Sequence, residues 1–558
     1  MTAVQAFLEK NKERILPLAV AFGHFLFTFI GDVLIYQTQG AGEIPYRTPL
    51  YLAAKCIVLV LLIAGWRAVF SGIDFRKLRY GLPYFLIMMA LLLVMWPGIW
   101  RFDEMQVINW VTNGYVFYWQ HWLSSLYFLV CLELIPIAGG ILILQNLLIA
   151  MIVGHILNRM EGIIGRKWCI AAFVFLLLPA AVDNNLYPIR SSVAAYLELY
   201  VLFTITFAIC TGEQLSFKSI AALAAATGVA AAWRPENLVY VVLIPLILLV
   251  VRKADLRKML LFLLVTFLLF AGISRVQNQG LEHGQTEHGY RDKERYTLSG
   301  IMWPLGELIK TDFRSDDPEG DIEIIDRVLS VEMIRESNAH DAYWYGGLGE
   351  ITEENLAAVE KVYVKLILYN LPSFIRERIT FFFRTNGFGE KPDMFTMYSA
   401  HVFDPDYTEL EQINPEAAEF YSSFKQRYSL VRPPSITIRR LLVSTLEGKR
   451  VTDYAESSLG GLWLFYDVVP ILVLLLVLAV SQAFRKKWTP LLLVLPVFAK
   501  TGLVIATAPW TSFMYYFSAY LSGGLLALFL LARVLQAKHE KAAAIPAGDG
   551  SDPAEAAG

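Results

Sequence analysis

The chain is 558 residues long, 56% of them hydrophobic, with a mean hydropathy of +0.48. Its 48 Lys and Arg against 50 Asp and Glu leave a formal net charge of −2. A soluble chain of this size would carry more charged surface, and without a basic stripe interleaved with aromatics the sequence gives no case for nucleic acid as a partner.

Apolar segments run from Ile15 to Tyr36, Leu50 to Trp66, Leu82 to Trp96, Ile137 to Leu157, Trp168 to Val182, Val193 to Cys210 and Ile220 to Trp233. Others follow from Leu238 to Val251, Met259 to Ile273, Leu462 to Val480, Leu491 to Ala506 and Phe513 to Val534. Crossing ~30 Å of hydrocarbon takes roughly 20 residues, so several segments borrow flanking Trp, Tyr or small residues. The pattern predicts a mainly α, polytopic membrane helix bundle of about 12 spans, with an α-rich extracytoplasmic domain inserted before the last three. The implied layout is an N-terminal membrane domain over 1–275 with an outer loop at 98–122, the extracytoplasmic domain over 276–460, C-terminal membrane helices over 461–535 and a tail over 536–558.

The first segment follows a basic start but exceeds a signal peptide's apolar core and lacks a clear small-residue cleavage site, so it reads as a retained anchor. Lys10, Lys12 and Arg14 open a series of basic loops that continues at Arg67, Arg76, Lys77 and Arg79, at Arg159, Arg166 and Lys167, at Arg252, Lys253, Arg257 and Lys258, and at Arg485 to Lys487. The alternate short loops carry only isolated Arg47, Arg101, Arg190 and Arg234. The positive-inside rule then makes both termini cytoplasmic and sends Asp103 to the outer face of the plasma membrane. Cys56, Cys131, Cys169 and Cys210 lie in or beside apolar segments, which offers neither a disulfide framework nor a zinc pattern.

Between Val276 and Gly460 the apolar pattern stops, over a length sufficient for a folded domain. Gln277 to Arg295 is polar and reads as a loop, and so does Asp316 to Gly320. His283 and His288 near Glu282 and Glu287 define no metal geometry. Thr352 is a good N-cap for a helix that buries Leu356, Val359, Val362, Tyr363 and Leu366 and ends at Asn370-Leu371-Pro372. A second helix from Pro372 sets Arg376, Arg378 and Arg384 opposite Phe374, Ile375 and Phe381 to Phe383, a pattern suited to a membrane surface. Ala542 to Gly558 is too poor in large apolar side chains to pack and reads as disordered. No internal repeat is visible, which weakens the idea of a transporter built from two similar halves.

The outer loop from Gly98 to Trp122 holds the most chemistry. Asp103 and Glu104 follow a Pro97-Gly98 break, with Gln106, Asn109, Trp110, Asn113, Tyr115, Tyr118, Trp119, Gln120, His121 and Trp122 behind them. Trp and Tyr alone would read as an interfacial belt, but anchoring does not require paired carboxylates.

Pro97-Gly98 with Asp103-Glu104, the His121-Trp122 step into Leu123 to Leu134, Asp183-Asn184-Asn185 with Tyr187-Pro188-Ile189-Arg190, and Arg234-Pro235-Glu236-Asn237 together resemble the GT-C superfamily of membrane glycosyltransferases. The resemblance covers the first half best and extends to an external domain before the last spans. It implies a polyprenyl-phosphate-linked sugar as donor, a glycan, lipid or protein as acceptor, contact with membrane lipids, and Asp103 as base or as part of a metal site. A carboxylate that accepts a hydroxyl proton fits the first role. Glu104 is the second catalytic candidate, although helix neighbours point in different directions. An exposed carboxylate is its alternative reading.

Arg234 and, behind it, Arg190 are candidates to pair with the lipid phosphate, with Glu236 orienting Arg234. Interfacial snorkelling is the plain alternative for an isolated arginine. His121 could hydrogen-bond donor or acceptor, against a structural role. No cofactor is certain and a divalent metal is possible, since this chain has adjacent carboxylates where others of the superfamily can separate them by one residue. Asp32, Lys55, Glu133, Glu198 and Lys500 fall in or near apolar segments, where a central charge costs roughly 2.5 to 3.5 kcal/mol, so they should face partners or water. They could form structural pairs or the path of a transporter or flippase, the main rival reading. An envelope-assembly protein without activity is the third.

Overall fold

The computed structural model describes residues 12–36, 48–72, 74, 76–283, 292–311, 313–386, 438, 465–509 and 512–543. Most of the expected extracytoplasmic stretch after Asn386, together with His288 and residues 544–558 of the expected tail, lies outside the described residues, and 536–543 continue the last helix instead of belonging to a tail. Among the described residues there is no strand, and one isolated antiparallel bridge joins Leu329 to Leu348.

Helices α1 (Lys12–Ile35) and α2 (Pro49–Phe70) form an antiparallel pair, with Thr48 capping α2 through its hydroxyl and Pro49 at the first helical turn. Then come α3 (Gly81–Val94), α4 (Phe102–Thr112), a 3-10 turn at Tyr118–Gln120 and α5 (Trp122–Leu134). The long α6 (Ala138–Ile164) is followed by α7 (Arg166–Phe175) and α8 (Pro179–Asn185), which are bent by 64°. Next are α9 (Arg190–Thr211), α10 (Phe217–Trp233), α11 (Leu238–Val250) and α12 (Leu256–His283). The protein is a multi-pass membrane chain. Among the described residues seven helices are long and apolar enough to cross, or eight if the bent pair is one span, and five more apolar helices are shorter.

The centre and the edge of the bundle differ in burial. In α6 and α9 67% and 78% of the apolar window is buried, against 22% in each of α1, α2 and α12, whose remaining apolar side chains suit lipid. Helices α3 and α6 touch through small residues: a Cβ on Gly81 would sit 2.7 Å from the Ala150 carbonyl oxygen.

A separate core joins α13 (Asp292–Lys310), α14 (Pro318–Asp326), α15 (Val331–Glu336), α16 (Ala339–Trp344) and α17 (Glu353–Tyr369) through Leu298, Leu305, Ile325, Leu329, Val359 and Leu366. Thr352 caps α17 by accepting from the Asn355 amide at 3.1 Å, at the expected position. Helix α18 (Leu371–Thr385) follows, then α19 (Val469–Ala483), α20 (Thr489–Thr507) and α21 (Phe517–Ala543), the last with 72% of its apolar window buried.

Other sequence expectations need correction here. Asp316 to Gly320 is not all loop, since Asp317 caps α14 and Pro318 to Gly320 form its first turn. Of the expected loop from Gln277 to Arg295, Gln277 to His283 is the end of α12, because Gln277 bonds the Trp122 amide and the Tyr118 carbonyl and Leu281 is buried, and Asp292 to Arg295 open α13. Arg378 is not on a solvent face. It is buried and donates to the carbonyls of Ile505 and Ala508, both at 2.7 Å, at the end of α20.

Contacts sort the helix ends onto two faces. Arg79 with Glu161 and Arg159 with Glu213 join the basic loops on one. The 98–122 loop, Leu186, Trp233, Gln277, Tyr515 and the end of α20 meet on the other. Helix α5 runs sideways on this second face: Trp122 donates to the Ile273 carbonyl of α12 at 2.9 Å, and about 17 Å along the helix Glu133 accepts from Lys55 of α2.

Candidate functional site

The loop that carries the carboxylates is fixed by its backbone. Gly98 has φ +112°, and a Cβ there would lie 1.8 Å from Leu142 and 3.1 Å from the Leu186 carbonyl oxygen, so a side chain would be both strained and displaced. The adjacent Ile99 amide donates to that Leu186 carbonyl at 2.8 Å. Trp100 then buries its ring edge-on to Phe128, and Arg101, in extended conformation, precedes the first turn of α4. Asp103 and Glu104 occupy that turn, near the positive end of the helix dipole.

The two acids diverge. Asp103 is half-buried, and its Oδ2 accepts from Gln120 Nε2 at 2.6 Å. Burial pushes its pKa up, against the charges of Arg101 and Arg190 and the Gln120 bond. Glu104 is buried at 4% exposure and accepts from the Tyr187 hydroxyl, which removes the exposed-carboxylate reading. Burial, reinforced by the Asp103 charge, pushes the Glu104 carboxyl up to about 8. At neutral pH Glu104 is therefore largely protonated.

Tyr187 is held in place by the Asp183-Asn184-Asn185 turn. Gln145 donates to the carbonyls of Asn185 and Tyr187 at 3.1 and 2.8 Å, and the Asn185 amide donates to the hydroxyls of Tyr84 and Tyr196 at 2.8 and 2.9 Å. These asparagines are scaffold.

Gln120 joins the cationic side of the site. Its carbonyl accepts from Arg190 at 3.3 Å and from the Ser124 hydroxyl at 2.6 Å. Ser124 in turn accepts from Trp233 Nε1 at 2.9 Å, one residue before Arg234. Arg190, half-buried at the start of α9, lies within electrostatic reach of Asp103, His121 and Tyr515. Arg234 is buried, its Nε bonds Glu236 at 2.6 Å, and its guanidinium lies 5.3 Å from the Tyr515 ring centroid. This is an ion pair rather than an isolated snorkelling arginine. Asp103 and Arg234 share a face but do not touch; Gln120, Ser124 and Trp233 connect them.

His121 has φ +74° and caps α5, with Nδ1 accepting from the Leu123 amide at 3.2 Å. Burial, helped by Arg190, lowers its pKa to about 3, so the ring stays neutral. Its geometry is that of a helix cap.

Asp103 and Glu104 turn to different partners and form no chelate, and among the described residues no group of three or more His, Cys, Asp or Glu gathers for a metal. The five charges expected in or near apolar segments form two clusters. Lys55 bonds Asp32 at 2.8 Å as well as Glu133, and Lys500 bonds Glu198 at 2.6 Å. Tyr515 belongs to no motif; its one signal in the sequence is its place at the start of the last apolar segment. No family model, curated protein or solved structure matches this chain.

Proposed function

We propose that the protein is a GT-C-like glycosyltransferase that moves a sugar from a polyprenyl phosphate carrier to an acceptor hydroxyl at the outer face of the plasma membrane. The observation that supports this best is the setting of Asp103: a carboxylate with a raised pKa, bonded to a neutral amide, with Arg190 held close by the same residue's carbonyl. A raised pKa makes a carboxylate a better proton acceptor.

In this reading the acceptor oxygen forms its bond to the anomeric carbon while its proton passes to Asp103. The bond from that carbon to the phosphate oxygen breaks, and the electron pair remains on the phosphate. Arg190 meets the developing charge, since Arg234 is already neutralised by Glu236. This reverses the order of the two arginines suggested by the sequence. Glu104, protonated, adds no second negative charge beside the base. Arg234 with Glu236 and Tyr515 forms the wall next to the leaving group. No step runs through a metal.

The basic face is cytoplasmic in this reading, with both termini. Helices α3, α10, α11 and α19 complete about 12 crossings, and α5 stays on the outer face. Purified protein supplied with synthetic polyprenyl-phosphate sugars tests the proposal. Product should depend on Asp103, and full transfer by Asp103→Asn would remove the assigned base. Movement of the lipid-linked sugar across proteoliposomes without a new glycosidic bond would favour the transporter instead.

A further inference from the structure

Helix α18 has three faces. Phe381 packs on Trp303, Phe382 on Tyr516, Arg378 on the carbonyls of Ile505 and Ala508, and just past the helix Asn386 Oδ1 accepts from the Val468 amide at 3.2 Å. Three of these partners are the neighbouring ends of α19, α20 and α21, so α18 lies across the ends of three membrane helices instead of continuing one of them. Arg376, Glu377 and Arg384 occupy a second, polar face. Between the two runs a third face of Leu371, Ile375, Ile379 and Phe383, one residue per turn, each exposed.

An exposed apolar stripe flanked on one side by protein and on the other by charge is the arrangement of a helix lying in a lipid interface. The preceding helix extends it: Val364 and Leu368 of α17 are exposed, and Leu368 is 70% so. The membrane helices beneath also leave apolar flanks open, as at Val473 and Val477 of α19. The apolar surface thus runs from the bilayer-facing sides of the spans toward α18.

We propose that α18, with the end of α17, is an in-plane membrane anchor whose Leu371–Phe383 stripe contacts the phospholipid acyl chains of the leaflet on the 98–122 side. The anchor holds the α13–α17 core down against the bilayer, next to the outer loop, where Trp119 packs edge-on to Tyr296 and Trp344. The inference does not depend on the catalytic reading.

The test uses the full chain in proteoliposomes of phosphatidylcholine and phosphatidylglycerol. Ile379→Cys or, as a second position, Ile375→Cys is labelled with an environment-sensitive fluorophore in a Cys56→Ser background, with Arg384→Cys as the polar-face control. Phosphatidylcholine bearing a shallow doxyl quencher should quench the Ile379 and Ile375 probes several-fold more than the Arg384 probe. Equal, weak quenching with water-like emission would overturn the proposal. So would apolar emission that lipid quenchers do not reach, the result expected if residues 387–464 or a second copy of the chain cover the stripe.

Discussion

The two carboxylate pairs on the 98–122 side of the molecule are held in opposite ways. Asp32 and Glu133 share the ammonium of Lys55, with Tyr51 donating to Asp32 at 2.7 Å and the Phe29 ring 4.4 Å from the cation. Asp103 and Glu104 are each held by a neutral donor, Gln120 and Tyr187, while the cations Arg101 and Arg190 act on Asp103 without an ion pair to it. A carboxylate clasped by a buried lysine is fixed in place by its ion pair, although here the single ammonium offsets only one of the two negative charges. One held by an amide keeps its capacity to take a proton. Charge inside an apolar chain is therefore a poor guide to chemistry until its partner is known.

The sharpest way to break this contrast is Lys55→Met, which leaves two carboxylates buried without a counter-charge. Removing one partner from a buried ion pair costs about 3–5 kcal/mol, so the folded yield in detergent should collapse and unfolding should begin at lower temperature. Unchanged thermal unfolding would show that the cluster does not hold α1 and α2 to α5. Asp103→Asn should do the reverse, losing transfer by about 10²- to 10⁴-fold with no shift in unfolding temperature. A large loss of stability there would class Asp103 with Asp32.

Arg190→Ala should lower kcat for transfer by about tenfold or more, as expected for one charge-assisted hydrogen bond to the charge that develops on the leaving phosphate, with a smaller rise in donor KM. Arg234→Ala, which strands Glu236, should instead lower stability. If kcat responds to Arg234 alone, the phosphate lies beside Tyr515 and not beside Gln120.

Glu104→Gln addresses the pH dependence. A carboxyl raised to about 8 by folding contributes stability that is complete below the usual glutamate range and is lost as pH rises through about 8. The unfolding temperature of the unaltered protein should fall between pH 6 and 9 relative to Glu104→Gln, by about 2 °C or more. Parallel profiles would show that Glu104 ionises normally. The smallest effect is expected at His121→Asn, since asparagine both caps helices and tolerates positive φ: stability should change by about 0.5 kcal/mol or less and transfer by less than about twofold. A tenfold loss of activity would restore His121 as a substrate ligand.

Local structure was the most legible part of the sequence. Hydropathy placed Leu50 to Trp66 within α2, Pro49–Phe70, and the cap at Thr352 fell where its hydroxyl and following glutamates required. The Pro97-Gly98 break was readable, though not its cause, because the crowding by Leu142 and Leu186 comes from elsewhere in the chain. Polar partners were least legible. Glu104 meets Tyr187 across 83 residues and Arg190 meets Gln120 across 70, and nothing in residue type specifies which distant donor a carboxylate will find. The same reason hid Arg378, whose charge suggested solvent while its fork was being used to close the carbonyls at the end of α20.

The sideways course of α5 sets an order of assembly. Translation delivers the chain from its N-terminus, so Asp32 and Lys55 can meet and neutralise each other long before Glu133, 78 positions after Lys55, has been made. The first hairpin can thus enter the bilayer as an electrically balanced unit. It waits there as a loose piece until the transverse rod arrives to latch it to the rest of the bundle.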